Sequence, residues 1–317
     1  MLSQRLATWR YILTNTNLPP GATVDFVSKW LVITRASVFS MTATSGLIGG
    51  LLAIGAARLG QGVTVHWGYL VLALVGLVVA HAANNVINDY FDLETGVDTD
   101  EYVRAQYAPH PILSGWVSKA GLRAAILLAN AVDLAIMLIL VAGRGPLVVV
   151  FALAGLFVSV FYVAPPISLK RRGLGEPGVF LVWGPLMIGG TFFVTTGVIP
   201  SWVWLASLPY AILVTTVLFG KHIDKIEADG QRGVHTLPVI LGAATAKRVN
   251  QALMIVFYPI VLASAAIGFI GPWVAVVVLG IPRLTVALRT YSRPRPAEPP
   301  PGYPIWPLWF EIGRAHV

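Results

Sequence analysis

Acidic side chains are scarce in this sequence, and most of them are concentrated in two short stretches. Carboxylates held this close together repel one another unless a cation or basic groups neutralise them. Magnesium prefers oxygen ligands and is often held by one or two carboxylates together with substrate phosphates. The stretches therefore predict binding of Mg²⁺ and a diphosphate. They contain nine of the 14 acidic residues: Asp89, Asp92, Glu94, Asp98, Asp100 and Glu101 in the first, and Asp224, Glu227 and Asp229 in the second.

The spacing in the first stretch predicts one functional face of a helix. At 3.6 residues per turn, a single stripe carries His81, Asn85, the adjacent Asn88 and Asp89, and Asp92. We expect the metal ligands of this stretch to be Asn85, Asp89, Asp92 and the following Asp98. For any one of these residues an alternative stays open, in which the asparagine joins two helices and the aspartates mark a solvated helix end.

The elements that carry these side chains are predicted to be membrane-spanning helices. The chain is 56% hydrophobic and 11% charged, with a mean hydropathy of +0.75, which excludes an ordinary soluble globular domain. Without cysteine, it offers neither disulfides nor thiolate ligands. We predict an all-α integral membrane protein. Runs of about 20 apolar residues, enough to cross a bilayer, occur at residues 32–57, 67–86, 122–142, 147–163, 178–198, 202–220, 249–270 and 272–288.

The distribution of basic residues predicts a multi-pass protein of the cell membrane with a cytosolic N-terminus. With that orientation only Arg58 and Arg144 fall in outer loops, as the positive-inside rule requires. Topology therefore explains the net charge of +8 better than nucleic-acid binding does. The first 30 residues lack the pattern of a removable signal peptide.

Both acidic stretches then lie at cytosolic helix ends, which can face each other across a bundle and share a diphosphate through bridging Mg²⁺ ions. Basic side chains on that side are expected to meet the remaining phosphate charge. The candidates for this contact are Arg104, Lys170, Lys221 and Lys225.

Three stretches of the sequence resemble the UbiA superfamily of intramembrane prenyltransferases. The string NNVINDYFD at residues 84–92, continuing to Gly96-Val97-Asp98, is similar to the first aspartate-rich motif of that family. Residues 224–242 are similar to its second motif. Residues 162–170, YVAPPISLK, resemble the cytosolic loop whose basic residue approaches the diphosphate.

The resemblance implies a bundle of eight to nine transmembrane helices with cytosolic cap loops and a central cavity. It implies Mg²⁺-dependent transfer of a polyprenyl group from its diphosphate to an aromatic or lipid-precursor acceptor, within membrane lipid. The six-residue step from Asp92 to Asp98 resembles the branch that prenylates 1,4-dihydroxy-2-naphthoate for menaquinone. The implied catalytic and metal-binding residues are Asp89, Asp92, Asp224 and Asp229, with His81 and Tyr162 as candidates near the acceptor.

Two positions depart from the family pattern. Asp224 and Asp229 are five residues apart, which places them about 140° out of phase on a regular helix. The partner of Asp229 is therefore either Asp224, if the helix end unwinds, or Glu227. His110 stands where many members have arginine, so the basic contact is expected to shift to Arg104.

Two other functions compete with this interpretation: a membrane transporter, and an inactive isoprenoid-binding protein. A transporter would place ionisable groups within its spans, where this chain has chiefly Asp133 and Arg35. Residues 311–317 back-translate to a common sequencing-adapter string. We therefore expect one membrane domain over residues 1–310, with a truncated ninth helix, and a non-native tail after it.

Overall fold

The computed structural model describes residues 2–101, 108–268, 270–296, 298 and 308–316. Within these ranges the regular elements are helices, and one isolated parallel bridge joins Arg172 to His235. The α-helices are α1 Leu2–Asn15, α2 Phe26–Ile33, α3 Phe39–Arg58, α4 Trp67–Glu94, α5 Lys119–Arg144, α6 Leu147–Phe161, α7 Gly175–Leu181, α8 Gly190–Thr196, α9 Ser201–Ile223, α10 Ile226–Gln231, α11 Leu237–Leu241, α12 Ala243–Ala266, α13 Ile281–Ser292 and α14 Leu308–His316.

Seven helical stretches of the described residues are long and apolar enough to cross a membrane. The remaining predicted span coincides with α6, which has 15 residues and a length of about 22 Å. Because a hydrocarbon core is about 30 Å thick, α6 alone is short for a crossing. The prediction of an all-α membrane protein is confirmed, and the count of eight to nine spans is not.

The chain divides into two compact units, which we describe separately. The first is built chiefly from Met1–Thr44 and Val71–Ile167. The second is built chiefly from Ser45–Leu70 and Ser168–Ala297, and it includes α14. The earlier prediction of one domain over residues 1–310 stays a prediction.

In the first unit, apolar packing fixes the cytosolic end predicted for α4. Val86 of α4 packs with Ile33 of α2 and Leu122 of α5, and all three side chains are at most 3% exposed. Two residues before Val86, the amide oxygen of Asn84 accepts a hydrogen bond from the Ser159 hydroxyl of α6 over 3.0 Å. These contacts hold in place the helix face that carries the first acidic stretch.

In the second unit, small residues allow helices to approach closely. A Cβ atom on Gly184 would lie 2.4 Å from the Ala211 Cβ of α9, so only glycine fits there. Between α7 and α8, residues Val182–Gly189 form a π-helix that contains Pro185. Proline lacks the N–H of an α-helical hydrogen bond, which accounts for the local change in helix type.

Candidate functional site

The stripe predicted on α4 is present and buried. His81 and Asn85 are each 5% exposed, and Asp89 is fully buried. The Asn85 amide nitrogen donates to the Thr34 carbonyl oxygen over 2.9 Å. The His81 Nδ1 atom lies 2.7 Å from the Thr42 hydroxyl. The stripe therefore faces the segment that links α2 to α3 and the first turn of α3, and Asn85 retains its amide oxygen as a possible ligand atom.

That linking segment brings Arg35 onto Asp89. Arg35 has a left-handed backbone with φ of 54°, which is uncommon for a residue with a side chain. Its guanidinium group forms an ion pair with the Asp89 carboxylate, and its buried Nε atom has no hydrogen-bond partner. The sequence interpretation treated Arg35 only as an interior charge. An isolated cation at the start of an apolar run was the available signal, because such groups are usually functional.

The turn after α4 returns the chain to the helix end. The Asp92 carbonyl oxygen accepts hydrogen bonds from the amides of Val97 and Asp98, at 2.8 and 3.0 Å. Gly96 adopts φ of +68°, the left-handed conformation that commonly ends a helix. As a result Asp98, which is 3% exposed, lies close to Asp89.

A third side chain joins these two carboxylates. His110 is 1% exposed, and its ring lies with Asp89 and Asp98 so that one potential ligand atom from each falls within 4.8 Å of the others. Asp92 lies at the same helix end and is only partly exposed. Arg104, the basic residue expected to act here, lies outside the described residues.

The second acidic stretch lies across a break between two helices. α9 ends at Ile223, and α10 begins at Ile226, so the helix breaks at Asp224 and Lys225. Beyond the break, Asp229 is fully buried and accepts a hydrogen bond from the Lys225 ammonium group over 3.4 Å. Glu227 is exposed.

The contacts of Asp224 argue against a role as the metal-binding partner of Asp229. Its carboxylate accepts hydrogen bonds from the backbone amides of Trp309 and Phe310, at 3.2 and 2.9 Å, and caps the start of α14. Arg295 forms an ion pair with it at 3.3 Å. Burial raises the pKa of Asp224 to about 7, although these donors oppose the shift. The unwinding that the sequence analysis considered does occur, but it directs this carboxylate towards the last helix.

A buried acid that the sequence analysis did not single out lies next to the second motif. The Glu176 carboxylate of α7 lies 2.7 Å from the Nδ1 atom of His222 in α9, and both side chains are 1% exposed. The other carboxylate oxygen of Glu176 is buried without a hydrogen-bond partner. Its only signal in the sequence was a single acid at the start of an apolar run.

The end of the predicted basic loop lies in the second unit. There Lys170 is 6% exposed and lies in the short 3-10 helix Leu169–Arg171. A bridge between Arg172 and His235 joins the residues just after the loop to the segment that follows Asp229. Lys221, in the last turn of α9, is partly exposed. Tyr162 belongs to the first unit and is also partly exposed.

Comparisons with known proteins agree with these motifs. The chain is 27% identical over 214 residues to the 1,4-dihydroxy-2-naphthoate octaprenyltransferase of Bacillus subtilis (strain 168), covering 66% of each chain. It is 26% identical to the digeranylgeranylglyceryl phosphate synthase of Haloquadratum walsbyi, covering 75% of this chain and 79% of that one. The match to the Bacillus protein thus spans just under two thirds of its length.

The fold also has solved relatives. A UbiA homolog from Archaeoglobus fulgidus, bound to GPP and Mg²⁺, aligns with a TM-score of 0.61 at 17% identity, covering 91% of this chain and 99% of that chain. The sequence model of the UbiA prenyltransferase family matches residues 48–308, which include both acidic motifs and the basic loop. The chain therefore belongs to the UbiA prenyltransferase family.

Proposed function

We propose that this protein is a Mg²⁺-dependent prenyltransferase, which moves a polyprenyl group from its diphosphate to an aromatic or lipid-precursor acceptor. The observation that carries the proposal is the buried Asp89 and Asp98 pair beside Arg35, in a chain of this family. A buried group of like charges needs a strong reason to persist, and binding a metal diphosphate supplies that reason.

The donor set of the first motif fits Mg²⁺. Asp89 and Asp98 offer carboxylate oxygens, and Asn85 offers an amide oxygen one turn away on the same face. Hard oxygen donors of this kind suit Mg²⁺, which also keeps waters and substrate phosphates among its ligands. The neighbouring Asn88 has a buried amide oxygen without a hydrogen-bond partner, which gives the site another acceptor for a ligand.

In the proposed reaction the allylic C1–O bond breaks, and its electron pair leaves with the diphosphate. The acceptor supplies the electron pair for the new bond and afterwards loses a proton. Bound Mg²⁺ would stabilise the negative charge of the departing diphosphate. Arg35 lies against Asp89 and can turn from that carboxylate to a phosphate oxygen, where a guanidinium group binds well.

In the second motif, we propose that Asp229 binds the metal and that Asp224 serves the fold instead; Glu227 stays a proposed second ligand. Asp229 is buried and paired with Lys225, while Glu227 is exposed in the first turn of α10. The hydrogen bonds from Trp309 and Phe310 engage the Asp224 carboxylate. Lys170, Lys221 and Arg104 stay proposed contacts of the diphosphate.

For the acceptor, we propose a dihydroxynaphthoate, as in menaquinone biosynthesis. The support is the six-residue step from Asp92 to Asp98 and the similarity to the Bacillus enzyme named for that acceptor. The similarity to an archaeal glyceryl phosphate enzyme keeps lipid precursors among the acceptors to be tested. His81 and Tyr162 are the residues proposed near the acceptor.

The proposal predicts that each acidic motif is needed for turnover. We expect Asp89→Asn and Asp229→Asn to lose at least 100-fold in turnover with Mg²⁺, because each removes charge that metal binding requires. Asp100→Asn is the matched control, since Asp100 is an exposed acid of the first stretch. Thermal melting in detergent checks that all three variants fold.

Turnover equal to the unmodified protein in either folded variant would refute the metal-site assignment. Folded protein that binds a prenyl diphosphate with Mg²⁺ but transfers it to no acceptor would favour the inactive isoprenoid-binding alternative.

A further inference from the structure

His110 is held in one orientation by backbone groups of its own turn. Its Nδ1 atom lies 3.3 Å from the amide nitrogen of Ile112 and 3.4 Å from that of Leu113, and both amides donate to it. The hydroxyl and amide of Ser114 donate to the His110 carbonyl oxygen at 2.5 and 3.0 Å, which closes the turn. The ring therefore presents its Nδ1 lone pair to the backbone.

This arrangement selects the tautomer. A neutral imidazole carries one proton, and an Nδ1 atom that accepts hydrogen bonds cannot also carry it. The proton must then be on Nε2, which lies 3.3 Å from the Asp89 carbonyl oxygen and 3.6 Å from a carboxylate oxygen of Asp98. Both of these neighbours are acceptors, so an Nε2–H group suits the position.

The same geometry argues against His110 as a metal ligand, although its ring lies within 4.8 Å of the Asp89 and Asp98 ligand atoms. A histidine binds metal through a lone pair, and the other ring nitrogen usually donates its proton to an acceptor. Here Nδ1 faces two N–H donors. A metal bound to Nε2 would require the ring proton to be on Nδ1. That proton would then face the N–H groups of Ile112 and Leu113, which is unfavourable.

We propose that His110 is a positioning residue: its Nε2–H group donates to the Asp89 carbonyl oxygen at 3.3 Å and attracts the Asp98 carboxylate at 3.6 Å, so that both aspartates present oxygens to one cation. This inference rests on the proposed function, because it assumes that the cation binds there. It assigns an all-oxygen donor set to the first motif, and this set favours Mg²⁺ or Mn²⁺ over metals that prefer imidazole.

The test uses Mn²⁺ as a spectroscopic substitute for Mg²⁺, bound to the full chain with inorganic diphosphate. Glutamine can place an amide N–H near the position of Nε2, whereas asparagine reaches only to the position of Nδ1. We expect His110→Asn and His110→Leu to weaken Mn²⁺ binding about 10-fold or more. We expect His110→Gln to stay within about 3-fold of the unmodified protein.

Electron spin-echo measurements on the bound Mn²⁺ separate positioning from ligation. The inference predicts no coupling from an imidazole nitrogen of His110, and such a coupling would overturn it. Equal Mn²⁺ affinity in folded His110→Asn and unmodified protein would also overturn it, as would a His110→Gln variant as weak as His110→Asn.

The tautomer can be measured without metal. In ¹⁵N-histidine-labelled protein, with His110→Gln used to assign the signal, we expect a protonated Nε2 and an unprotonated Nδ1. A protonated Nδ1 would contradict the inference whatever the metal data show. If the unmodified protein binds no Mn²⁺ with diphosphate, the metal site of the proposed function fails, and the tautomer measurement still decides the geometry of His110.

Discussion

Arg35 forms an ion pair with the fully buried carboxylate of Asp89. In the proposed function, a bound cation would share this carboxylate with the guanidinium group. Removing one partner of such a pair leaves the other charge buried and unpaired. The resulting loss of folding free energy is larger than the net stabilisation that the intact pair provides. In the proposed function, Arg35 would stabilise the fold around Asp89 before the cation binds and would then be available to bind phosphate.

We therefore expect Arg35→Ala to lower the free energy of unfolding by about 3 kcal/mol in EDTA. Saturating Mg²⁺ with diphosphate should restore part of this loss, because the cation replaces the missing positive charge. Melting temperatures of the unmodified and variant proteins in detergent, with and without the metal, measure both effects. Arg35→Lys is the control that keeps the charge. An Arg35→Ala variant that melts like the unmodified protein in EDTA would contradict this role.

The sequence predicted where side chains lie when they belong to one helix or to the turn directly after it. Asn85 and Asp89 follow from helical spacing, and Asp98 follows from its place just after the same helix. Arg35 lies 54 residues from Asp89, and Glu176 lies 46 residues from His222. No spacing rule connects such pairs, because tertiary packing alone brings them together.

The turn at the end of α4 is a short element that determines where Asp98 lies. Gly96 has φ of +68°, and among the described residues no neighbouring atom would contact an added Cβ. A substitution there therefore meets backbone strain rather than a steric clash, and the strain is about 1 kcal/mol.

We expect Gly96→Ala to weaken Mn²⁺ binding several-fold, because relaxing the turn moves Asp98 away from Asp89. Gly96→Asn should be milder, since asparagine tolerates the left-handed conformation. Gly62→Ala is the matched control, because Gly62 has φ of +71° and equally open surroundings in the link between α3 and α4. Metal titrations of the three variants test this, and similar affinity losses in Gly96→Ala and Gly62→Ala would argue against it.

The burial of the Asp224 carboxylate at the start of α14 predicts a pH dependence of stability. The pKa of Asp224 is raised from 3.8 to about 7, chiefly by burial. Between these two values the folded state binds more protons at this group than the unfolded state does. The contribution of Asp224 to stability is therefore fully present below about pH 4 and is lost as the pH rises through about 7.

Asp224→Asn should remove this dependence while keeping one oxygen to cap the helix. We expect the melting temperature of the unmodified protein, relative to that of Asp224→Asn, to fall between pH 4 and pH 7. Asp224→Ala should lose the cap itself, at about 1 kcal/mol. Parallel melting curves for the unmodified protein and Asp224→Asn across this range would contradict the assignment.

Apolar run length predicted the spanning elements, but it could not predict their internal geometry. The predicted span at residues 178–198 contains the π-helix around Pro185. The span at residues 272–288 begins with a nine-residue 3-10 helix, Pro272–Gly280. A π-helix and a 3-10 helix differ from an α-helix in which carbonyl oxygen accepts the hydrogen bond of each backbone amide. This pairing depends on side-chain packing, which hydropathy does not describe.

Taken together, the apolar helices and the basic loops predict a defined orientation in the membrane. The chain has no cysteine, so a single introduced cysteine reports its own side of the bilayer without interference. We expect Gln61→Cys to react with an impermeant thiol reagent from outside the cell and Gln231→Cys to react only after the membrane is opened. Both positions are exposed. Reaction of both from the same side would contradict the proposed topology.

Product formation by the purified protein is the deciding measurement. The protein in nanodiscs would be supplied with a long-chain prenyl diphosphate and a panel of aromatic and glyceryl phosphate acceptors, and the products would be identified by mass spectrometry. We predict a product whose mass equals acceptor plus prenyl group minus one hydrogen, less a further carbon dioxide where a carboxylate acceptor is decarboxylated, formed with Mg²⁺ and absent with EDTA. No adduct with any acceptor, together with no Mg²⁺-dependent binding of the diphosphate, would contradict the proposed prenyltransferase function.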